Sequence, residues 1–195
     1  DDTDIGLYNP DEPPAQQFRN PVHAAEPSND GFVYVCDRPN NRIQVFKKDG
    51  TYVTEKIIAR MTLGGGSTWD IAFSRDTGQK FLYLADGQNM KVYIIERESL
   101  EVLTSFGAGL FVTPHGFHVD SDGNVWATDF GGNEAGTKGH QVIKFSPEGE
   151  VLMRLGQAGV PGSGPGQLNQ PNDVITAPNG NIFVADGHSG QSQNP

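Results

Sequence analysis

The chain has 195 residues, with 24 acidic and 14 basic side chains and a formal net charge of −10. Its longest basic run is the pair Lys47 and Lys48, so the clustered positive charge that neutralises a phosphate backbone is missing and we expect no nucleic-acid partner. No apolar run approaches the roughly 20 residues that cross a bilayer, so we expect no membrane span, and the single Cys36 excludes an internal disulfide.

Residues 1–20 are acidic and proline-rich and follow neither strand nor helix periodicity, so we expect an arm that lies on the surface. The first repeat begins at Val22. It alternates β-branched and aromatic runs with turn sequences such as Asp30-Gly31 and Asp49-Gly50. Turns at intervals of about ten residues predict small antiparallel sheets.

Variants of this repeat follow three more times, which divides residues 21–195 into blades at 21–67, 68–113, 114–170 and 171–195. The last unit lacks its outer strands. One aspartate closes the inner hairpin of each unit, with spacings of 49, 43 and 57 residues, at Asp37, Asp86, Asp129 and Asp186. Four short strands in a unit of this length predict an all-β propeller, in which each sheet buries its faces against its neighbours.

A histidine occupies the same position in two of the repeats. His23 and His115 each lie 14 residues before the repeat-ending aspartate, and Asn172 has this position in the fourth repeat. In the second repeat, which has a longer first hairpin, Thr68 or Trp69 occupies the position equivalent to that of the two histidines. The position begins the innermost strand of a blade, which faces the axial channel, so we expect the two imidazoles to converge near the axis.

Converging imidazoles are typical ligands of Zn²⁺, and a catalytic zinc site combines three protein ligands with one open position. We therefore predict His23 and His115 as metal ligands and zinc as the cofactor. A third histidine is absent from the equivalent positions and would belong to a fifth blade. The alternative is that each histidine is an ordinary hydrogen-bonded residue at the start of a strand, and the spacing does not decide between the two.

The repeats resemble NHL repeats, which combine patterns of the type DG-x-VYV-x-D and N-x-RIQVF; residues 30–50 and 122–149 match best, and the resemblance covers most of residues 22–190. NHL proteins are usually six-bladed propellers. Since four units fall short of that ring, the resemblance implies further blades from a longer chain or from another subunit; the alternative is a closed ring of four blades.

The stretch TPHGFHVDSDGNVWATD, followed by VIKFSPEG, GQAGVPGSG, QPNDV and FVADG, is similar to the peptidyl-α-hydroxyglycine α-amidating lyase family. These six-bladed enzymes cleave a C-terminal α-hydroxyglycine into a peptide amide and glyoxylate. The family holds zinc with three histidines from alternate blades, and His23 and His115 match two of them by position.

The resemblance also implies candidate catalytic residues. The family places a tyrosine directly after a strand-ending Asp-Gly, where this chain has His188, and arginines nearby, where it has Arg38. His188 would then move the proton and Arg38 would bind the substrate carboxylate. The alternatives are a solvated loop residue for His188 and pairing with Asp37 or loop carbonyls for Arg38. Calcium is a further ion of the family, but the aspartate that follows a zinc histidine there is missing here, so no calcium site is assigned.

The sequence therefore supports two functions. The first is a metal-dependent, lyase-like propeller that acts on a small-molecule or peptide C-terminal substrate. The second is a non-catalytic NHL propeller that binds a protein or another ligand through its loop-rich face. The acidic start without Met, together with the habit of the family, favours an extracytoplasmic location, either periplasmic or secreted.

Overall fold

The structure, a computed structural model, describes residues 6–188. The ends of the predicted arm (1–5) and of the predicted fourth blade (189–195) lie outside the described residues. Apart from one turn of 3-10 helix at Arg38–Asn40, the regular structure is all β, which confirms the predicted fold class. The described part of the chain contains no helix long and apolar enough to cross a membrane.

The described residues form four antiparallel sheets, numbered here as blades 1 to 4. Blade 1 contains β1 (Val22–Pro27), β2 (Phe32–Asp37), β3 (Arg42–Lys47) and β4 (Tyr52–Ile57). Blade 2 contains β5 (Asp70–Phe73), β6 (Phe81–Asp86), β7 (Lys91–Glu96) and β8 (Val102–Phe106). Blade 3 contains β9 (Pro114–Val119), β10 (Val125–Gly132), β11 (Gly139–Phe145) and β12 (Val151–Leu155). Blade 4 contains β13 (Pro171–Thr176) and β14 (Ile182–Asp186).

Neighbouring strands within each blade follow one another in the chain, so hairpin turns make the connections. The predicted Asp-Gly pairs lie in these turns. Gly50 and Gly123 have φ angles of 87° and 85°, a conformation that a residue without Cβ adopts at little cost. The side chain of Asp49 accepts a hydrogen bond from the Thr51 amide and closes the first of these turns.

The core lies between the blades. Along β6, Leu82 and Leu84 pack against blade 1, whereas Tyr83 and Ala85 pack against blade 3. Successive side chains of a strand point to opposite faces of its sheet, so a strand buried on both faces must be apolar throughout. The apolar run FLYLA in β6 meets this requirement, since blade 2 is covered by blade 1 on one face and by blade 3 on the other.

In blades 1, 3 and 4 the repeat-ending aspartate ties the segment that enters the blade to the end of its second strand, whereas Asp86 of blade 2 accepts from Asn89 in the next turn. Asp129 accepts hydrogen bonds from the amides of Val112 and Thr113, and Asp186 accepts one from Asn169. These bonds fix the chain just before β9 and β13 begin. They therefore set the position of the first residues of the innermost strands, where the candidate site lies.

The arm packs along blade 1. The buried Arg42 side chain donates to the carbonyls of Ala15 and Gln17. Arg60 donates to the carbonyls of Pro10 and Glu12 at 2.7 and 2.8 Å. Because guanidinium groups from the blade satisfy backbone carbonyls of the arm, residues 10–17 are held in place although they form no strand.

Candidate active site at the blade axis

His23 and His115 meet at the axis. They stand at the start of β1 and β9, the innermost strands of blades 1 and 3, and their ring centroids are 4.8 Å apart. Equal spacing from Asp37 and Asp129 placed them at matching positions in the sequence, and the stacking of the blades brings these positions together. The structure thus creates the convergence of imidazoles on which a metal or catalytic role depends.

Backbone carbonyls fix the orientation of both rings. Nδ1 of His23 lies 2.6 Å from the Trp69 carbonyl oxygen, and Nδ1 of His115 lies 3.0 Å from that of Asn172. A carbonyl can only accept, so each Nδ1 carries the hydrogen and each Nε2 keeps its lone pair. Both carbonyls come from the corresponding position of the next blade, so the same contact occurs twice around the axis.

The two imidazoles are held in their neutral form. Burial lowers the pKa of His23. Burial, followed by the proximity of His23, lowers the pKa of His115 to about 4. A neutral imidazole with Nδ1–H bonded to a carbonyl and Nε2 unprotonated is the form in which histidine binds a metal ion.

Trp69 lies between the histidine pair and Arg38. Its ring centroid is 5.4 Å from that of His23 and 5.7 Å from that of His115, and the Arg38 guanidinium lies 4.4 Å from the indole centroid. The indole rests on Gly87, where a Cβ atom would approach it to 2.5 Å. The absence of a side chain at Gly87, directly after the repeat-ending Asp86, therefore makes room for the indole.

Arg38 does not form the ion pair with Asp37 that the sequence left open. Asp37 instead accepts a hydrogen bond from Nε of Arg42 at 2.7 Å, and both of these side chains are buried. Within residues 6–188, Nε of Arg38 is a buried side-chain nitrogen that has no hydrogen-bond partner. The guanidinium thus keeps its charge over the indole face, and Nε has a hydrogen that no side chain or backbone group accepts in the described structure.

His188 also reaches the histidine pair. Its Nε2 lies 3.1 Å from Nε2 of His115, and its ring stacks on Phe130 at a centroid distance of 4.6 Å. Since Nε2 of His115 carries a lone pair, Nε2 of His188 is the donor in this contact. The sequence did not identify Phe130, although its position directly after Asp129 corresponds to that of Arg38 after Asp37.

Gly116 is a second residue that sequence reasoning missed. A Cβ atom there would lie 2.3 Å from the Asn172 carbonyl oxygen, the same oxygen that accepts from His115. The backbones of blades 3 and 4 therefore approach each other at Gly116 more closely than a residue with a side chain permits. The only signal in the sequence was a small residue directly after each axial histidine, since Ala24 follows His23.

The donor set fits part of a zinc site. His23 and His115 can offer two Nε2 lone pairs, that of His115 once His188 no longer donates to it, and this is the ligand chemistry that zinc prefers. Within residues 6–188, no group of three or more His, Cys, Asp or Glu side chains is arranged to hold a metal ion. Two protein ligands are therefore provided by this region, and any third would have to reach the pair from elsewhere or by a rearrangement of His188.

Asp70 and Asp173 occupy the position after the axial residue in blades 2 and 4. In this chain the Asp70 carboxylate accepts hydrogen bonds from the amides of Phe117 and Ile71 at 2.9 Å each. Burial raises the pKa of Asp70 to about 7. The carboxylate thus joins blade 2 to blade 3, which is a structural role.

The chain is similar to known propellers in sequence and in fold. A family model described as "NHL repeat" matches residues 28–46. A probable peptidyl-α-hydroxyglycine α-amidating lyase of Caenorhabditis elegans is 39% identical over 124 residues, which are 63% of this chain and 33% of the relative. Peptidyl-glycine α-amidating monooxygenase A of Xenopus laevis is 31% identical over 189 residues, 94% of this chain and 18% of the relative.

Among solved structures, virginiamycin B lyase from Staphylococcus aureus superposes with a TM-score of 0.64 over 86% of this chain and 50% of its own, at 17% identity. This likeness supports the propeller fold alone. The chain spans a third or less of the length of the two curated relatives named above.

Proposed function

Because the chain is an NHL-repeat β-propeller that resembles the peptidyl-α-hydroxyglycine α-amidating lyases, we propose that it cleaves peptides ending in α-hydroxyglycine to a peptide amide and glyoxylate. One observation carries the proposal: His23 and His115 present unprotonated Nε2 atoms at the axis while Arg38 lies one indole ring away. A metal-binding pair beside a cation with an unused donor suits a substrate that carries a hydroxyl group and a carboxylate on one carbon.

We assign His23 and His115 as two ligands of a zinc ion. The carbonyls of Trp69 and Asn172 hold the rings in the tautomer that ligation requires, as outer partners of metal-binding histidines do. When bound, zinc would polarise the substrate hydroxyl and lower its pKa.

Arg38 binds the substrate carboxylate in this proposal. The face of Trp69 supports its guanidinium, whose Nε is buried without a partner in the described structure. A planar guanidinium can donate two parallel hydrogen bonds to a carboxylate, and this pairing fixes the orientation of the bound group as well as its position.

His188 transfers the proton. It takes the hydroxyl proton as the C–O bond becomes a carbonyl and returns it to the amide nitrogen as the bond between that nitrogen and the α-carbon breaks. The electrons and the proton balance, because the amide and glyoxylate together have the composition of the substrate. An imidazole suits this role since it both accepts and releases a proton near neutral pH. Phe130 stacks on the His188 ring and limits the directions in which it can turn.

The test is the formation of glyoxylate from a short peptide that ends in α-hydroxyglycine, measured on the full-length protein with zinc supplied. We expect turnover, with kcat lowered about 100-fold by His188→Gln. We expect Arg38→Gln to raise KM and to lower kcat/KM about 100-fold.

His118→Gln serves as a matched control, because His118 lies three residues from His115 and bonds instead to Thr176. Its kinetics should match those of the unmodified protein. Absence of glyoxylate formation by the unmodified, zinc-loaded protein would refute the proposal and favour a non-catalytic binding role.

A further inference from the structure

Two clefts lie between the blades at the end of the innermost strands that is remote from the axial histidines. The first cleft, between blades 1 and 2, has a volume of about 370 Å³, and the second cleft, between blades 2 and 3, has a volume of about 560 Å³. Their defining residues are Asp30, Tyr34 and Arg97 in the first cleft, and Asp76, Tyr83, Asp122, Pro147 and Glu148 in the second.

The same repeat positions build one side of both clefts. Each has a serine that donates to an aspartate and accepts from a phenylalanine amide, with a tyrosine two residues further along the strand: Ser28, Asp30, Phe32 and Tyr34 in the first cleft, and Ser74, Asp76, Phe81 and Tyr83 in the second. The contents of the first cleft therefore show what the second is shaped to hold.

An arginine from blade 2 occupies the first cleft. Arg97 follows β7 directly and donates two hydrogen bonds to the Asp30 carboxylate, at 2.9 and 2.8 Å. The same guanidinium donates to the Tyr34 hydroxyl at 3.4 Å. In this cleft the chain itself thus supplies a guanidinium that pairs with a carboxylate and a phenol.

The second cleft lacks this arginine. Pro147 has the position equivalent to that of Arg97, because the residues before them, Ser146 and Glu96, each donate their amide to the carbonyl that directly precedes the fourth strand of the blade. Tyr83 is only 3% exposed, and within residues 6–188 its hydroxyl has no hydrogen-bond partner. The phenol therefore faces the cleft with an acceptor and a donor that the described chain does not use.

Negative charge surrounds the Tyr83 hydroxyl. Asp122 and Glu148 line the second cleft, and neither forms an ion pair in the described part of the chain. Arg75 also lines it, but its Nε donates to a backbone carbonyl, that of Val119, at 2.7 Å. Burial, followed by the nearby carboxylates of Glu148 and Asp76, raises the pKa of Tyr83.

Asp76 differs from its counterpart in the first cleft, since its longer turn already uses most of its carboxylate. It accepts hydrogen bonds from the amides of Gly78 and Lys80 in addition to that from the serine hydroxyl. Asp122 and Glu148 are therefore the carboxylates of the second cleft that remain to pair with a cation.

We propose that the second cleft binds an arginine side chain presented by a peptide segment of a protein partner. The guanidinium donates to the Tyr83 hydroxyl and pairs with Glu148 or Asp122, as Arg97 does with its partners in the first cleft. Leu103, which is 54% exposed and lines the cleft, covers the methylene groups of the bound arginine and an apolar neighbour of it. The net charge of −10 favours the approach of a basic segment.

The test measures the affinity of the full-length protein for a pentapeptide with one central arginine between leucines. Both ends of the peptide are blocked, so it has no carboxylate for Arg38. The comparison peptide has citrulline in place of arginine, which is nearly equal in size but neutral. We expect the arginine peptide to bind at least about tenfold more tightly in calorimetry, because hydrogen bonds to a charged group are the stronger ones.

Two pairs of variants locate this binding. Tyr83→Phe should weaken the arginine peptide roughly fivefold, whereas Tyr34→Phe should leave it unchanged, since Arg97 already occupies the first cleft. Pro147→Arg supplies the guanidinium from the chain itself and should weaken the peptide at least about tenfold. Pro147→Ala should keep the affinity of the unmodified protein.

Equal affinities for the arginine and citrulline peptides, an absence of binding by both, or undiminished binding by Pro147→Arg would each overturn the proposal. Methylguanidinium that binds as tightly as the arginine peptide would overturn the assignment to a protein segment and identify a small cation as the occupant. None of these outcomes depends on glyoxylate formation, because the second cleft shares no residue with the candidate active site.

Discussion

Blades 1 and 3 differ from blades 2 and 4 in what they contribute to the axis from one backbone position. The odd blades place His23 and His115 there, each followed by a small residue. The even blades place Trp69 and Asn172 there, and it is their backbone carbonyls that accept the Nδ1–H of the two histidines. One kind of blade provides the imidazoles and the other holds them in place.

The comparison shows how a repeated fold acquires a site. All four positions have the same relation to the axis because the repeats stack with the same geometry. Their side chains need not share a role, since a backbone carbonyl is available from any residue. The carbonyl contacts therefore do not depend on the side chain at the even positions, although the Trp69 ring also carries the Arg38 guanidinium, whereas the proposed zinc site requires histidine at the odd positions.

The largest expected effect is a loss of folding stability, and it is tested by substituting the repeat-ending aspartates of the two odd blades. Asp37→Ala removes the buried one of the two carboxylates that pair with the Arg42 guanidinium, the other being Glu55, and we expect the free energy of unfolding to fall by about 3 kcal/mol. Asp129→Ala removes only the acceptor of two backbone amides, at an expected cost of about 2 kcal/mol. Denaturant titration measures both values. Equal losses in the two variants would show that the ion pair contributes nothing beyond the backbone contacts.

The next prediction concerns the contact between blade 3 and blade 4, and the quantity measured is again the free energy of unfolding. Gly116→Ala places a Cβ atom 2.3 Å from the Asn172 carbonyl oxygen. The backbones must separate, with an expected loss of about 2–3 kcal/mol. Gly78→Ala is the matched control, because its Cβ atom meets its nearest neighbour at an ordinary 3.5 Å and its φ is not positive. If the Gly116 variant is as stable as the Gly78 variant, the close approach of blades 3 and 4 is wrong.

The smallest effect is the pH dependence that the axial histidines impose on stability. The pKa of His115 is about 4 in the folded protein, below its ordinary value of 6.5. Below pH 6.5 the unfolded chain therefore takes up a proton that the folded chain refuses, so stability is greatest above that pH and falls as the pH approaches 4. We expect a loss of roughly 2 kcal/mol between pH 7 and pH 4, less than the full shift would give because the ring is only partly buried.

Chelator is present in this measurement so that metal binding does not contribute. The variant His115→Asn should show a shallower decrease in stability over the same range. An identical pH profile for this variant and the unmodified protein would contradict the neutral, buried imidazole at the axis.

The sequence predicted the parts of this molecule that depend on periodicity. The repeated strand and turn pattern gave the all-β propeller, and equal spacing from Asp37 and Asp129 gave the convergence of His23 and His115. The sequence also named Trp69 as one of two candidates for the equivalent position in the second repeat, and the structure places it beside both histidines.

What the sequence did not reveal depends on distances between blades. The roles of Gly87 and Gly116 arise because an indole or a neighbouring backbone occupies the space of their missing side chains, and a repeat pattern contains no such distance. The contact between His188 and Phe130 joins residues of two blades and is equally invisible. The arm has an irregular sequence, which gives no indication that blade 1 holds it in place.

The central claim is that His23 and His115 together hold a zinc ion at the axis, and elemental analysis of the purified full-length protein tests it most directly. We predict nearly one zinc ion per chain, loss of most of it in His23→Ala and in His115→Ala, and full retention in His118→Ala. Zinc content that stays unchanged in both axial variants, or that is absent from the unmodified protein after equilibration with the metal, would contradict the claim.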